Sequence, residues 1–225
     1  MKLIHIITVL IFSTSCGQTK TDQESVNEKK TEFESNKLSL SDTIINFMWR
    51  DMKYDSTLND SFSLIFLNTN YISTMTNQEK AAIGYVSTFI GNECWWDGEA
   101  NDDRSNLDCK IITALGLGYQ CSESHLGYLR KWFSDDKEVL SELEKSNCPT
   151  TPYTAISQNT FDKIVINTKG DSISVYYEAG GVNVREQESW EWSETVYFIA
   201  TTNNLKLIKK DRSEVNHEKF EMTEE

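Results

Sequence analysis

Hydrophobic and polar positions change period along this chain, and the changes divide it. Residues 3–12, Leu3 to Phe12, are one nearly unbroken apolar run, whereas residues 17–37 are polar and almost devoid of aliphatic side chains. From Ser39 or Ser41 to about Lys53, Ile44, Ile45, Met48 and Trp49 fall at helical spacing, with Asp42 suited to a positive N-terminal end; this predicts a first helix. Residues 62–72, FSLIFLNTNYI, are a short apolar run that periodicity does not assign. Thr76-Asn77-Gln78-Glu79 is a capping box, in which the Thr and Glu side chains each satisfy a free backbone N–H at a helix start. It opens a helix to about Gly91 with Ala82, Ile83, Val86, Phe89 and Ile90 on one side. Further helices are predicted from Leu107, Ile111, Ala114 and Leu115 up to Gly116 or Gly118, and from Ser122 with Leu126, Leu129, Trp132 and Phe133 inward. A last one starts at Ser134-Asp135-Asp136 with Val139, Leu140 and Leu143 inward, and Pro149 and Pro152 close the helical half.

From Tyr153 the period drops to two. Residues 161–167 and 171–178 flank Asn167-Thr168-Lys169-Gly170, a hairpin signal. A loop at Gly180-Gly181 follows, then Trp190 to Ala200 alternates, with Trp190, Trp192, Val196 and Phe198 on one face. Asn203-Asn204 turns the chain into residues 205–209, and residues 211–225 read as a charged, frayed tail. Helices followed by an antiparallel meander make an α+β domain over residues 39–210, helical over 39–148 and β over 153–210. Four or five helices are expected in the first half.

The start of the chain carries an address. Lys2, the apolar run and the small residues Ser13-Thr14-Ser15 are the parts of a secretory signal, and the run is too short to span about 30 Å of hydrocarbon. Cys16 directly after them resembles the lipobox of bacterial lipoproteins, with Ser13 where that family usually has Leu, as in the relaxed lipoboxes of Bacteroidota. The resemblance implies cleavage of residues 1–15, acylation of Cys16 and a membrane anchor. Gly17, where enteric inner-membrane lipoproteins carry Asp, implies the outer membrane of the cell envelope. The alternative is an ordinary signal peptide with Cys16 incidental. Residues 16–38 then form a lipidated, flexible polar tether.

Charge narrows the partners. Removing residues 1–15, with one basic residue and no acid, leaves 210 residues with a net charge of −14. Phosphate neutralisation needs Lys and Arg, so nucleic acid is excluded as a partner, and so is polybasic membrane contact. Cys94, Cys109, Cys121 and Cys148 remain after Cys16, an even number in an exported chain, and predict two disulfides. Three connectivities are open, nearest-neighbour pairing being preferred. No CxxC or HxxxH spacing supports zinc, and neither a metal nor another cofactor is expected.

Candidate chemistry is sparse. His125 is the only histidine in the predicted domain, read as a surface or capping residue. No G-x-S-x-G elbow, P-loop or G-x-G-x-x-G is present. Glu188, Glu191 and Glu194 beside Trp190 and Trp192 are the vocabulary of a sugar site, although alternation puts both tryptophans toward the core and Glu191 toward water. Glu194 shares the Trp face and needs a cation such as Arg185. Asp97, Glu99, Asn101, Asp103, Ser105 and Asp108 have the oxygen-donor spacing of a calcium loop, but Asp102 stands where that loop needs Gly. A solvated acidic loop is the competing reading. Trp95 and Trp96 cannot both enter one core from a regular strand, so Trp95, Trp96, Asp97 and Glu99 are the candidate ligand-binding residues.

These residues favour a non-enzymatic binding or envelope-accessory domain, with a glycan or protein ligand. A carboxylate-dependent glycan hydrolase and an inhibitor or immunity lipoprotein that occludes a protein partner are the alternatives. Cys16→Ala is expected to move the full chain from the membrane pellet to the soluble fraction with its circular dichroism unchanged. A variant that still pellets with membranes overturns the anchor.

Overall fold

The computed structural model describes residues 40–57, 59–90, 107–145 and 157–221. Residues 1–39, with Cys16 and the tether, lie outside them, as do Cys94, Trp95, Trp96, Asp97, Glu99 and Cys148; the backbone of Cys109 is described but not its side chain.

Among the described residues the domain is α+β, with seven strands and five helices. Strands β1 (Leu40–Asp55) and β2 (Asp60–Leu67) come first. Helices α1 (Thr69–Ile72), α2 (Asn77–Val86), α3 (Leu107–Ala114), α4 (Glu123–Trp132) and α5 (Lys137–Lys145) follow. Strands β3 (Ser157–Gly170), β4 (Ser172–Asn183), β5 (Glu188–Ala200), β6 (Leu205–Arg212) and β7 (Asn216–Lys219) complete the sheet. Its order is β2-β1-β3-β4-β5-β6, all antiparallel, with β7 on β5 beyond the end of β6.

The expected first helix is therefore a strand. β1 carries a bulge between Asn46 and Met48 in its ladder with β3, so the consecutive residues Phe47 and Met48 are both fully buried. Ile44, expected to face inward, is 74% exposed opposite Asn167. The branched Thr43, Ile44 and Ile45 suit the pleated conformation. The unassigned run splits into β2 and α1, and helices occupy the middle of the chain between two blocks of strand.

Helix α2 is the keystone of the core. Ala81 through Thr88 are all buried, and the helix lies against β4, β5, β6 and α4. Its sequence-predicted capping box is present: Thr76 N–H donates to Glu79 Oε2 at 2.7 Å, and Glu79 N–H donates to Thr76 Oγ1 at 3.2 Å. Tyr71 Oη donates to the other oxygen of Glu79 at 2.9 Å, and burial with this carboxylate pushes the Tyr71 phenol far up. Ser122 caps α4, accepting from His125 N–H, and Asp136 Oδ1 accepts from Val139 N–H at the start of α5. The helix-facing side of the sheet carries Phe161, Ile164 and Ile166 from β3, Val175 and Tyr177 from β4, and Val196 and Phe198 from β5.

Three β expectations need correction. The β3–β4 turn is two residues further on, with Lys169 opposite Ser172 and Gly170 at φ +62, as the first centre of a two-residue hairpin loop requires. Gly180 and Gly181 are not a loop: β4 continues through them, paired on both sides, and Gly180 fits there because a Cβ would stand 2.9 Å from the Trp190 carbonyl oxygen. The tail is not frayed from Asp211, since β6 runs to Arg212 and β7 pairs Asn216–Lys219 with Glu188 to Glu191.

Glu79→Ala is expected to lower the unfolding free energy by about 1–3 kcal/mol, since it removes a cap and leaves the Tyr71 hydroxyl unpartnered. A denaturant midpoint equal to that of the unmodified chain would contradict this reading of the cap.

Candidate functional site

The described face of the sheet turned away from the helices is only half covered by its own side chains. Along β4 it carries Ser172, Ser174, Tyr176 and Glu178, all half-buried, and along β5 Glu191, Ser193, Thr195, Tyr197 and Ile199. Two depressions lie on it. A shallow apolar groove of about 330 Å³ is bordered by Tyr197, Ile199 and Ile208, with Lys209 Nζ 4.5 Å from the centre of the Tyr197 ring. The larger, an open cleft of about 550 Å³, gathers Asp162, Tyr176, Glu178, Glu191, Ser213 and Asn216.

Backbone irregularities build this cleft. β3 is bulged between Phe161 and Lys163, which pair with Ala179 and Glu178, so Asp162 is the extra residue. Asp162 Oδ2 lies over Gly180, 3.6 Å from where a Cβ would stand, an ordinary contact distance. On the far side the edge steps from β6 to β7. In the step, Ser213 N–H donates to the Ser193 carbonyl at 2.9 Å, and Ser193 N–H donates to Ser213 Oγ at 2.9 Å. A side chain thus completes the ladder where the backbone leaves it, and Ser213, Glu214 and Asn216 wall the cleft.

The cleft is lined by the carboxylates Asp162, Glu178, Glu191 and Glu214, and the first three have the polar neighbours that follow. Asp162 lies 3.0 Å from Arg50 Nε, and the same guanidinium donates to the Phe161 carbonyl at 2.7 Å and to Thr160 Oγ1 at 2.5 Å. Tyr176 Oη donates to Glu178 Oε1 at 2.9 Å, and Lys163 Nζ approaches that oxygen at 3.7 Å. Asn216 Nδ2 donates to Glu191 Oε1 at 3.4 Å. Burial raises the Asp162 carboxyl above its ordinary value, Arg50 opposes the rise, and Glu178 and Glu191 add to it. Both sides of Asp162 thus act on one half-exposed carboxyl.

Sequence reasoning named Glu188, Glu191 and Glu194 together, and the fold separates them. Glu191 enters the cleft. Glu194 is 9% exposed on the helix-facing side, 4.0 Å from Arg212 Nε; Arg185 sits instead in the β4–β5 turn. Glu188 meets His217 Nδ1 at 2.8 Å on β7. Trp192 is buried beneath the Arg212 guanidinium, and Trp190 donates from its indole to Asn159 Oδ1 at 2.7 Å. His125 is neither at the surface nor only a cap residue, since its side chain is fully buried. Asp162, Tyr176 and Glu178 went unread, although the run Tyr176-Tyr177-Glu178 held a signal: one tyrosine had to face outward beside an acid.

Among the described residues, no three His, Cys, Asp or Glu side chains come together as a metal-holding group, and no helix is long and apolar enough to cross a membrane. The acidic loop 97–108 lies outside the described side chains. Cys121 is disulfide-bonded. No family model, curated protein or solved structure matches the chain.

Because Arg50 holds the Asp162 carboxyl down against its burial, Arg50→Met is expected to move the Asp162 titration upward, measured by carboxyl carbon NMR. An unchanged or lower titration point would show that the guanidinium does not act on this group.

Proposed function

We propose that the chain is a lipid-anchored envelope protein, held through Cys16 in the outer membrane, whose folded domain binds a ligand rather than transforming one. The observation that carries the reading is the cleft on the open sheet face. Of its four carboxylates, Asp162, Glu178 and Glu191 are held by Arg50, Tyr176, Lys163 and Asn216, Glu214 stands on the wall, and Ser193 and Ser213 border it. Groups oriented by neighbours recognise hydroxyl and ammonium groups with little ordering cost, which suits a glycan or peptide rich in both. An acidic wall favours the amine-bearing members of that class. The tether of residues 16–38 supplies reach, and a disulfide set of Cys94–Cys109 and Cys121–Cys148 belongs to the same reading.

A carboxylate-dependent glycan hydrolase has one observation in its favour: Asp162 is raised above the ordinary carboxyl range, beside Glu178 and Glu191. A raised carboxyl is the direction of shift that suits a general acid. Against it, the aromatic residues lining the cleft are Trp192, which is buried with the Arg212 guanidinium over its ring, and Tyr176, whose hydroxyl is engaged by Glu178.

Glucosamine oligomers, with their neutral N-acetylated counterparts as contrast, are the probe. The cationic oligomers are expected to raise the melting temperature of the chain, less so in high salt, and Glu191→Gln is expected to weaken binding by about tenfold. No binding of either series overturns the cleft as a glycan site. Release of new reducing ends, lost in Asp162→Asn, replaces binding with hydrolysis.

A further inference from the structure

His125 occupies a position that neither the cleft nor the proposed ligand uses. It lies in the first turn of α4 with a fully buried side chain between two elements. On one side the Cys121 N–H donates to its Nδ1 at 3.2 Å. This fixes the proton on Nε2, which faces the Gly84 carbonyl oxygen of α2 at 3.2 Å and Thr88 Oγ1 at 3.4 Å. A Cβ on Gly84 would be in ordinary contact with Nε2, at 4.0 Å, and would crowd Leu117 Cδ1 at 3.0 Å. The Thr88 hydroxyl also donates to the Gly84 carbonyl at 2.9 Å, so that oxygen accepts twice.

The loop that His125 holds is under backbone constraint. Gly116, Gly118 and Cys121 all have positive φ, at +73, +88 and +60, and Cys121 is both the non-glycine among them and disulfide-bonded. A β-carbon in that region costs energy unless its surroundings impose it. Among the contacts that hold this loop, beside the Cys121 disulfide, are the His125 acceptor for the Cys121 N–H and the Gln120 amide, which donates to the Thr88 carbonyl of the α2 end at 2.8 Å.

We infer that His125 is an acid-released clasp: neutral, it ties the loop 116–122 and its disulfide-bonded Cys121 to α2, and a proton on Nδ1 frees that loop while the sheet stays folded. Protonated Nδ1 becomes a donor facing the Cys121 donor, so the bond is replaced by repulsion. Among the described residues, the groups that face the imidazole carry no compensating charge. From α2 they are the Gly84 carbonyl and the Thr88 hydroxyl, and from the loop the Cys121 N–H. The charges nearest in sequence lie elsewhere: Glu123 is exposed and pairs with Arg130 at 3.3 Å, and Lys80 is half-buried one turn before Gly84. Burial lowers the His125 pKa from its ordinary 6.5, in agreement with this geometry. The folded state therefore binds the proton less readily than the open one. The clasp is fully closed above the ordinary value and loosens as pH falls below it, down to the lowered one.

Amide hydrogen exchange of the full chain in detergent, corrected for intrinsic exchange, tests this from pH 7.5 to 5. The opening constant at the Cys121 amide is expected to rise by up to about tenfold per pH unit below 6.5, while amides of Val175 and Val196 in the ladder stay constant. Flat protection at Cys121, or a rise shared by Val175, overturns the clasp. His125→Gln, which keeps a polar side chain without a titrating proton, should flatten the profile. Should that variant fail to fold, imidazole NMR of the unmodified chain decides: proton uptake coincident with Cys121 opening supports the clasp, and uptake without opening overturns it.

Discussion

The ladder between β1 and β3 is the contact on which the rest of this domain depends. It joins segments more than a hundred residues apart, so forming it closes the whole helical stretch into one loop. Loop closure grows only logarithmically with length, and the ladder offsets it with backbone bonds and buried side chains. Thr168, almost fully buried, donates to the Ser41 carbonyl at 2.5 Å and lies 2.8 Å from the Thr43 hydroxyl, which pins the start of β1. Without that seam β1 and β2 would be an isolated hairpin, a form marginally stable in water. With it, the hairpin widens the sheet and brings Arg50 beside Asp162.

The same seam explains where sequence reading succeeded and failed. The helices α2, α4 and α5 announce themselves by local chemistry, because a cap at Thr76, Ser122 or Asp136 is settled within one turn. β1 announces itself wrongly. Its bulge places Phe47 and Met48 inside together, which breaks the two-residue period and leaves a spacing that a helix would also produce. A bulge is decided by the partner strand, and the partner lies beyond a long insertion. Nothing local to residues 40–55 records it.

The cleft was hidden for a related reason. Sequence neighbours such as Glu188, Glu191 and Glu194 look like a group, but pleating sends them to opposite faces. Asp162, Glu178 and Glu191 look unrelated, and register brings them together across three strands. Acidic residues show themselves readily in composition; which of them converge depends on a bulge in β3 and on the register of β3, β4 and β5. The alternation of β5 was legible and correct, since Trp192, Val196 and Phe198 are all buried on one side.

The step from β6 to β7 has a consequence for how the molecule meets its neighbours. At Ser213 the outermost run of backbone donors and acceptors is interrupted, and Lys206, Lys209, Lys210 and Arg212 precede the break. A strand from another molecule would find there neither an unbroken template nor neutral flanks. Crowded copies therefore slide past one another along that border instead of zipping into a common sheet.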